Sequence, residues 1–296
     1  GDEVIVTSFS FISTASPVQW VGATPVFVDI TASDYAADPA QIEAKITSRT
    51  KAIIIAHLFG QPAHKTEAML VVAQKHRIPL IEDTAHSFGA KIKIGDEWKM
   101  AGTIGTIGCL SFSSTKPFAA PGNGGALILN DSSLVEEADR MRFYGAKTHY
   151  YDYVTVGVNS KLHEIQAAAL LAKLSFFDYW LGHRKKVGEL YTSELRGVGD
   201  VELPKSFKET ERTYYRYVIK TKRRDALLRH LIEEAGPLRH LRPMVNYPVP
   251  LPHFAVFKDL GHGLGDFPVA EHASSEVLSL PITNFVKMSQ AASIAS

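Results

Sequence analysis

Short runs of β-branched and apolar residues, each bounded by Gly, Pro, Asp or Asn, recur along the first half of the chain. Six of them predict strands: Val4 to Thr7, Pro25 to Ile30, Ala52 to Leu58, Pro79 to Asp83, Gly108 to Phe112 and Gly125 to Leu129. Helical spacing of apolar positions separates the first four, over Ser13 to Trp20, Pro39 to Ile46 and Lys65 to His76. Alternation of this kind predicts an α/β fold, a mostly parallel central sheet with helices on both faces. Ligands of such sheets sit outside the carboxyl ends of the strands, which directs attention to Phe11, to Asp83 through His86, and to Ser111 through Lys116.

After about Lys161 the pattern changes. Leu162 to Leu195 is rich in Ala and Leu at helical spacing, and its length predicts one connecting helix in which a smaller domain begins. Tyr214 to Thr221 alternates like a strand, Arg224 to Ala235 reads as an amphipathic helix ending at Gly236, and Pro243 to Pro252 as a Pro-rich loop. The last residues, Ser289 to Ser296, form a weakly patterned tail expected to fray. The expectation is a large domain over residues 1–180 and a small α+β domain over 181–296.

A length of 296 residues with 45% hydrophobic residues is enough for a full core. The formal charge of +1 gives no bulk electrostatic reason to expect nucleic acid or an anionic membrane as partner. A single cysteine, Cys109, excludes an internal disulfide framework and a Cys-rich metal site, in keeping with a reducing, cytoplasmic location. No apolar run has the length of a membrane span. The histidines are scattered, and His163-Glu164 lacks the second histidine of a helical zinc pair, so no metal is expected. The chain opens directly on a strand pattern, from which residues upstream of Gly1 are expected.

Two segments carry chemistry. Glu82-Asp83-Thr84-Ala85-His86-Ser87 ends an apolar strand, and since successive strand side chains point oppositely, one acid reaches a ligand while the other faces away. A buried carboxylate stays ionised beside a cation, for which a protonated pyridine nitrogen would serve; an acid capping the next helix is the plainer alternative. Ser111-Phe112-Ser113-Ser114-Thr115-Lys116 leads to a lysine through a hydroxyl-rich turn, with Gly122-Asn123-Gly124-Gly125 beyond it. Hydroxyls and free N–H groups bind phosphate, and a partly desolvated lysine becomes a nucleophile able to form an imine. An ordinary surface lysine in a Ser/Thr turn is the alternative there.

Taken together with Gly1-Asp2-Glu3-Val4-Ile5-Val6, Gly22-Ala23-Thr24-Pro25-Val26-Phe27-Val28-Asp29 and Gly157-Val158-Asn159 through Ala168, these segments resemble, in order and spacing over nearly the whole chain, the DegT/DnrJ/EryC1/StrS family of sugar aminotransferases. The resemblance implies a fold-type I transferase dependent on pyridoxal 5'-phosphate, a homodimer with shared active sites that takes an amino-acid donor, glutamate, and a nucleotide-linked keto-sugar. It assigns the Schiff-base lysine to Lys116, the partner of the ring nitrogen to Asp83, the ring-flanking residues to Phe11 and His86, a phosphate hydroxyl to Ser111, and a residue crossing from the other subunit to Asn159. It also implies a Ser-Gly-Thr-like phosphate-binding turn that would precede Gly1. Lys161 stands where many relatives place arginine, which weakens bidentate recognition of an anion.

The loop Asn246-Tyr247-Pro248-Val249-Pro250-Leu251 most resembles the branch acting on UDP-linked 3-keto sugars of surface polysaccharide synthesis, which makes Tyr247 and Lys161 candidate sugar contacts. Two other functions stay open at this point. A sugar dehydratase of the same fold would carry histidine in place of Lys116, and a non-catalytic regulatory relative would keep the fold without turnover.

Overall fold

A computed structural model describes residues 1–148, 151–234 and 241–296. Its central sheet has six strands, β1 (Glu3–Thr7), β2 (Thr24–Val28), β3 (Thr50–Ala56), β4 (Leu80–Asp83), β7 (Ile107–Ser111) and β8 (Gly125–Leu129), in the order β2-β1-β3-β4-β7-β8. All six expected strands are therefore present. The first five are parallel to their neighbours and β8 runs antiparallel to β7. Between β4 and β7 lies a hairpin that the hydrophobic pattern did not predict, β5 (Lys91–Ile94) with β6 (Glu97–Met100). Its Lys-Ile-Lys-Ile and Glu-Trp-Lys-Met strands are too short and too charged to stand out.

Both faces of the parallel strands are covered. Val4 and Val6 turn to one side, into a cluster with Phe9, Phe27 and Leu251, while Ile5 turns to the other, with Val28, Ile53, Ile55 and Leu80. Each fully buried aliphatic or aromatic side chain of this kind contributes about 1.5–3 kcal/mol relative to exposure. Helix α1 (Ser16–Trp20) follows a 3-10 turn over Ile12–Thr14, so the helix expected from Ser13 is two short pieces with Pro17 in the first turn of the second. Helix α2 (Pro39–Ala44) starts where the Asp38 side chain accepts the Ala40 N–H at 3.2 Å. Helix α3 (Thr66–His76) buries Met69, Val72 and Ala73, the spacing of a single helical face.

Helix α4 (Val135–Arg142) follows β8. The long helix expected beyond Leu162 is two helices, α5 (Glu164–Leu174) and α6 (Phe177–Glu194). The break comes at Ser175 and Phe176: the Ser175 hydroxyl bonds the Ala172 carbonyl at 3.3 Å, and Phe177 buries against Phe88, Phe112, Phe118 and Leu170. Continuing the helix without a break would move Phe177 out of that aromatic cluster.

Beyond the two-residue strand β9 (Thr210–Glu211), the strand expected from Tyr214 is confined to β10 (Tyr217–Lys220), which pairs antiparallel with β11 (Val277–Leu280). Tyr214 has φ +50°, and the segment before β10 is drawn instead toward Gly60, with Thr213 N–H donating to the Gly60 carbonyl at 2.8 Å and Arg216 N–H to the Phe59 carbonyl at 3.1 Å. Helix α7 spans Arg224–Glu233; Ala235 and Gly236, its expected end, lie outside the described residues. Asp29, after β2, accepts Val269 N–H at 2.9 Å and Ala270 N–H at 3.0 Å, fastening helix α8 (Pro268–Glu276) to the central sheet. The expected tail is instead helix α9 (Met288–Ala295), whose Ala291 and Ile294 join the cluster of Val187 and Tyr191 on α6. Among the described residues no helix is long and apolar enough to cross a membrane.

Gly60 is where the turn after β3 meets the segment before β10. It has φ +88°, and a Cβ there would come within 2.6 Å of the Tyr215 nitrogen and 2.8 Å of the Tyr214 nitrogen, backbone atoms that cannot step aside. Gly60→Ala is expected to lower stability by about 1–3 kcal/mol, read as a fall in the urea midpoint at constant slope, and an unchanged midpoint would refute the close approach.

Candidate active site

The carboxyl ends of β3 and β4 and the turn after β1 form a narrow cleft, walled by Ser10, Phe11, His57, Asp83, His86 and Lys116 among others. Four of the residues singled out in the sequence, Phe11, Asp83, His86 and Lys116, are thus brought together from segments far apart in the chain. Asp83, last residue of β4, is held by two hydrogen bonds, from the Thr14 hydroxyl at 2.7 Å and from the Ala85 N–H at 3.1 Å. These fix one carboxylate at the cleft wall with lone pairs to spare.

Glu82 points to the opposite side, as strand alternation requires. It is fully buried and accepts from His57 Nε2 at 2.9 Å and from the N–H groups of Gly102 at 2.9 Å, Ile104 at 2.7 Å and Gly105 at 2.6 Å. Because His57 Nδ1 accepts the Ala63 N–H at 2.9 Å, its proton sits on Nε2, directed at Glu82. Burial opposes ionisation of Glu82, yet these donors, His57 foremost, bring its carboxyl below the usual carboxylate range.

Lys116 lies in the turn after β7, its N–H donating to the Ser113 carbonyl at 2.9 Å, and its Nζ stands 4.8 Å from the centroid of the Tyr215 ring. Burial is the main cause that lowers the basicity of this amine; Tyr215 and Asp83 oppose the shift and Arg216 adds to it. Tyr215 is the principal residue that sequence reasoning missed. Its ring packs 4.2 Å from that of His86, its hydroxyl lies 3.5 Å from Thr115 Oγ1, and the Arg216 guanidinium sits 4.9 Å from its centroid. Burial resists ionisation of the Tyr215 phenol, but Lys116 and Arg216 outweigh it and bring the phenol below its ordinary range. His86 is buried, accepts the Phe59 N–H at Nδ1 (3.4 Å), and is kept neutral by that burial and by Lys116 and Arg216.

Arg184 and Asn284 were also missed, and they tie both sides of the cleft together. The buried Arg184 donates to Asn284 Oδ1 at 2.5 Å and to the Tyr214 carbonyl at 2.9 Å, while Asn284 Nδ2 donates to the Pro117 carbonyl at 3.0 Å. Each side chain thereby holds the backbone beside one of the pair Tyr215 and Lys116. Only the pattern of a charged residue in an apolar helix face hinted at Arg184; nothing in the sequence marked Asn284 or Tyr215 as neighbours of residue 116.

The remaining candidates lie elsewhere. Ser111 ends β7 with its hydroxyl accepting the Ser113 N–H at 3.3 Å and is not among the cleft walls. Tyr247 packs behind Phe11, ring centroids 6.3 Å apart, and against Phe9 and Phe59 at 5.6 and 6.3 Å; burial raises its phenol. Asn159 and Lys161 line a separate open groove with Asn123, Leu127 and Arg142, where Lys161 Nζ stands 4.6 Å over the Phe143 ring. Neither is among the residues that wall the Lys116 cleft.

An amine of lowered basicity, a fixed carboxylate and two ring faces, Phe11 and the neutral His86, form a donor set that fits a flat pyridine ring bearing an aldehyde. Residues 1–296 match the DegT/DnrJ/EryC1/StrS aminotransferase family, and the chain belongs to it. Its architecture is that of the fold-type I transferases dependent on pyridoxal phosphate. The chain is 41% identical over 292 residues to the pleiotropic regulatory protein of Geobacillus stearothermophilus, covering 98% of this chain and 76% of that one. It is 37% identical over 282 residues to the UDP-2-acetamido-2-deoxy-3-oxo-D-glucuronate aminotransferase of Pseudomonas aeruginosa, covering 95% and 74%. Among solved structures, S. venezuelae DesV in complex with a ketimine intermediate superposes with a TM-score of 0.91 at 32% identity, over 99% of this chain and 76% of that one.

Two outcomes test this geometry. Since the Glu82 carboxyl titrates lower in the folded than in the unfolded chain, the stability it contributes is complete above the ordinary value of 4.5 and is lost as pH falls through the folded value. Glu82→Gln should therefore flatten the acid limb of a stability-against-pH curve while costing about 3–5 kcal/mol at neutral pH; an unaltered acid limb would count against the arrangement. In the cofactor-free protein, the pH midpoint for acylation of Lys116 should lie below that of surface lysines, move further down in Tyr215→Phe and move up in Arg216→Gln, as read by peptide mass spectrometry.

Proposed function

We propose that this chain is an aminotransferase that uses pyridoxal phosphate to move an amino group from glutamate to a nucleotide-linked keto-sugar, a UDP-linked 3-keto sugar. The observation that carries the reading is the Lys116 amine, desolvated over Tyr215 and facing the same cleft as the anchored Asp83 carboxylate. The sugar assignment rests on the likeness to the P. aeruginosa enzyme and on the Asn246–Leu251 loop.

In this reading residues 1–180 form the large, cofactor-binding domain and 181–296 the small one, and two copies form a homodimer in which Asn159 and Lys161 serve the partner's cleft. When bound, pyridoxal phosphate supplies a protonated ring that accepts the electron pair left as a C–H bond beside nitrogen breaks. Lys116 Nζ is the nucleophile toward the aldehyde and, once free, the base and acid that moves a proton at the substrate carbon. Asp83 keeps the ring nitrogen protonated through an ion pair that the Thr14 and Ala85 bonds orient. Phe11 and His86 would flank the ring, and His86, being neutral, does not compete for the carboxylate. Ser111 offers a hydroxyl to the phosphate, and Tyr247, through Phe11, shapes the sugar side of the cleft.

Borohydride reduction of the protein incubated with pyridoxal phosphate should fix the cofactor on Lys116, identified by peptide mapping, and Lys116→Ala should lose both the label and, by at least about 10⁴-fold, amino transfer to a UDP-linked 3-keto sugar. Labelling at another lysine, or transfer that survives in Lys116→Ala, would overturn the reading. Glutamate should discharge the visible absorption band of the bound cofactor; a band indifferent to glutamate rules out that donor.

A further inference from the structure

A second, partly open cavity lies beside the Lys116 cleft, with Leu58 lining both. Its floor is apolar, made by Tyr35, Leu58, Leu203 and Val218, and its charged lining is unequally satisfied. The two acids are already engaged. Asp34 accepts from Thr31 at 2.5 Å and from both the backbone and the ring of His64 at 2.8 and 2.6 Å, while Glu202 is paired with Lys220 at 2.5 Å.

The two guanidiniums are not so engaged. Arg212 donates to the Lys205 carbonyl and stacks 5.3 Å over Tyr214, and Arg216 stacks 4.9 Å over Tyr215. Neither makes an ion pair among the described residues, although burial lowers the basicity of Arg212, opposed by Tyr214, Tyr217 and, less, Asp34. Arg216 Nε also lacks a partner there. Desolvated guanidinium without a counter-ion is costly, and a bound oxyanion relieves that cost with paired N–H donors.

We propose that this cavity is a second ligand site, taking a small organic oxyanion whose head lies between Arg212 and Arg216 and whose apolar body rests on Tyr35, Leu58 and Val218. Arg planarity suits both carboxylate and phosphoryl heads, so the shared chemistry is the oxyanion. The site is separate from the Lys116 cleft but touches it through Tyr215, which the Arg216 guanidinium and the Lys116 amine both approach.

Isothermal titration of the borohydride-reduced holoprotein, whose Lys116 cleft is filled, tests this with phenyl phosphate, benzoate, inorganic phosphate and phenol. One equivalent of phenyl phosphate or benzoate should bind saturably, the stronger of the two identifying the head group, with inorganic phosphate weaker and phenol not binding. Arg212→Gln and Arg216→Gln should each weaken binding about tenfold or more. The exposed Lys205→Glu at the cavity wall, a change with little bearing on folding, should weaken it several-fold. Absence of saturable binding by any oxyanion, equal binding of phenol, or affinity indifferent to Lys205→Glu and to both arginine changes in folded protein would overturn the proposal.

Discussion

The carboxylate of Glu82 is the constraint on which the rest of the site depends. It sits in the interior with donors supplied by two pieces of chain: His57 from the end of β3, and the amides of Gly102, Ile104 and Gly105 from the stretch that leads into β7. A buried charge of this kind is tolerable only with complete satisfaction, so the positions of β3, β4 and the approach to β7 are set together. Strand alternation then does the remainder. With Glu82 committed to one side of β4, its neighbour Asp83 has only the cleft side to occupy. The acid that holds the scaffold thereby aims the acid that faces a ligand.

The opposite wall has a different support. Arg184 and Asn284 bridge the backbone at Pro117 and at Tyr214, using α6 and the segment after β11 as the frame. Asp29 fastens α8 to the same sheet by capping its first amides. The bonds of Arg184 and Asp29 to main chain are charge-assisted, stronger individually than neutral ones and directional enough to fix a turn. A lysine on a hydroxyl-rich turn is by itself an ordinary solvated group; here it is held over an aromatic ring.

Much of this was legible in the residues. The six strands and their neighbouring helices follow from β-branched runs such as Ile53-Ile54-Ile55 and from the buried spacing of Met69, Val72 and Ala73, because local pattern and tertiary burial agree there. The grouping of Phe11, Asp83, His86 and Lys116 follows from the rule that ligands meet parallel strands at their carboxyl ends. The hairpin of β5 and β6, the interruption at Ser175 and the final helix were not legible. Each is decided by partners remote in sequence: Phe177 by an aromatic cluster assembled from four segments, and Ala291 and Ile294 by α6. Tyr215 was hidden for the same reason. The segment around it leaves strand geometry to meet Gly60, and a period-two reading has no means of registering that.

The distance along the chain between Lys116 and its aromatic neighbour has a consequence for biosynthesis. Thr115 and Tyr215 are 100 positions apart, and Asn284, which braces the lysine's turn, is 167 positions beyond Pro117. During translation the lysine emerges from the ribosome long before either arrives, and domains fold as their segments become available. A nascent chain therefore carries Lys116 as an ordinary protonated amine. Its lowered basicity, which comes from burial in the assembled fold, arises only once the segments carrying Tyr215 and Asn284 have docked.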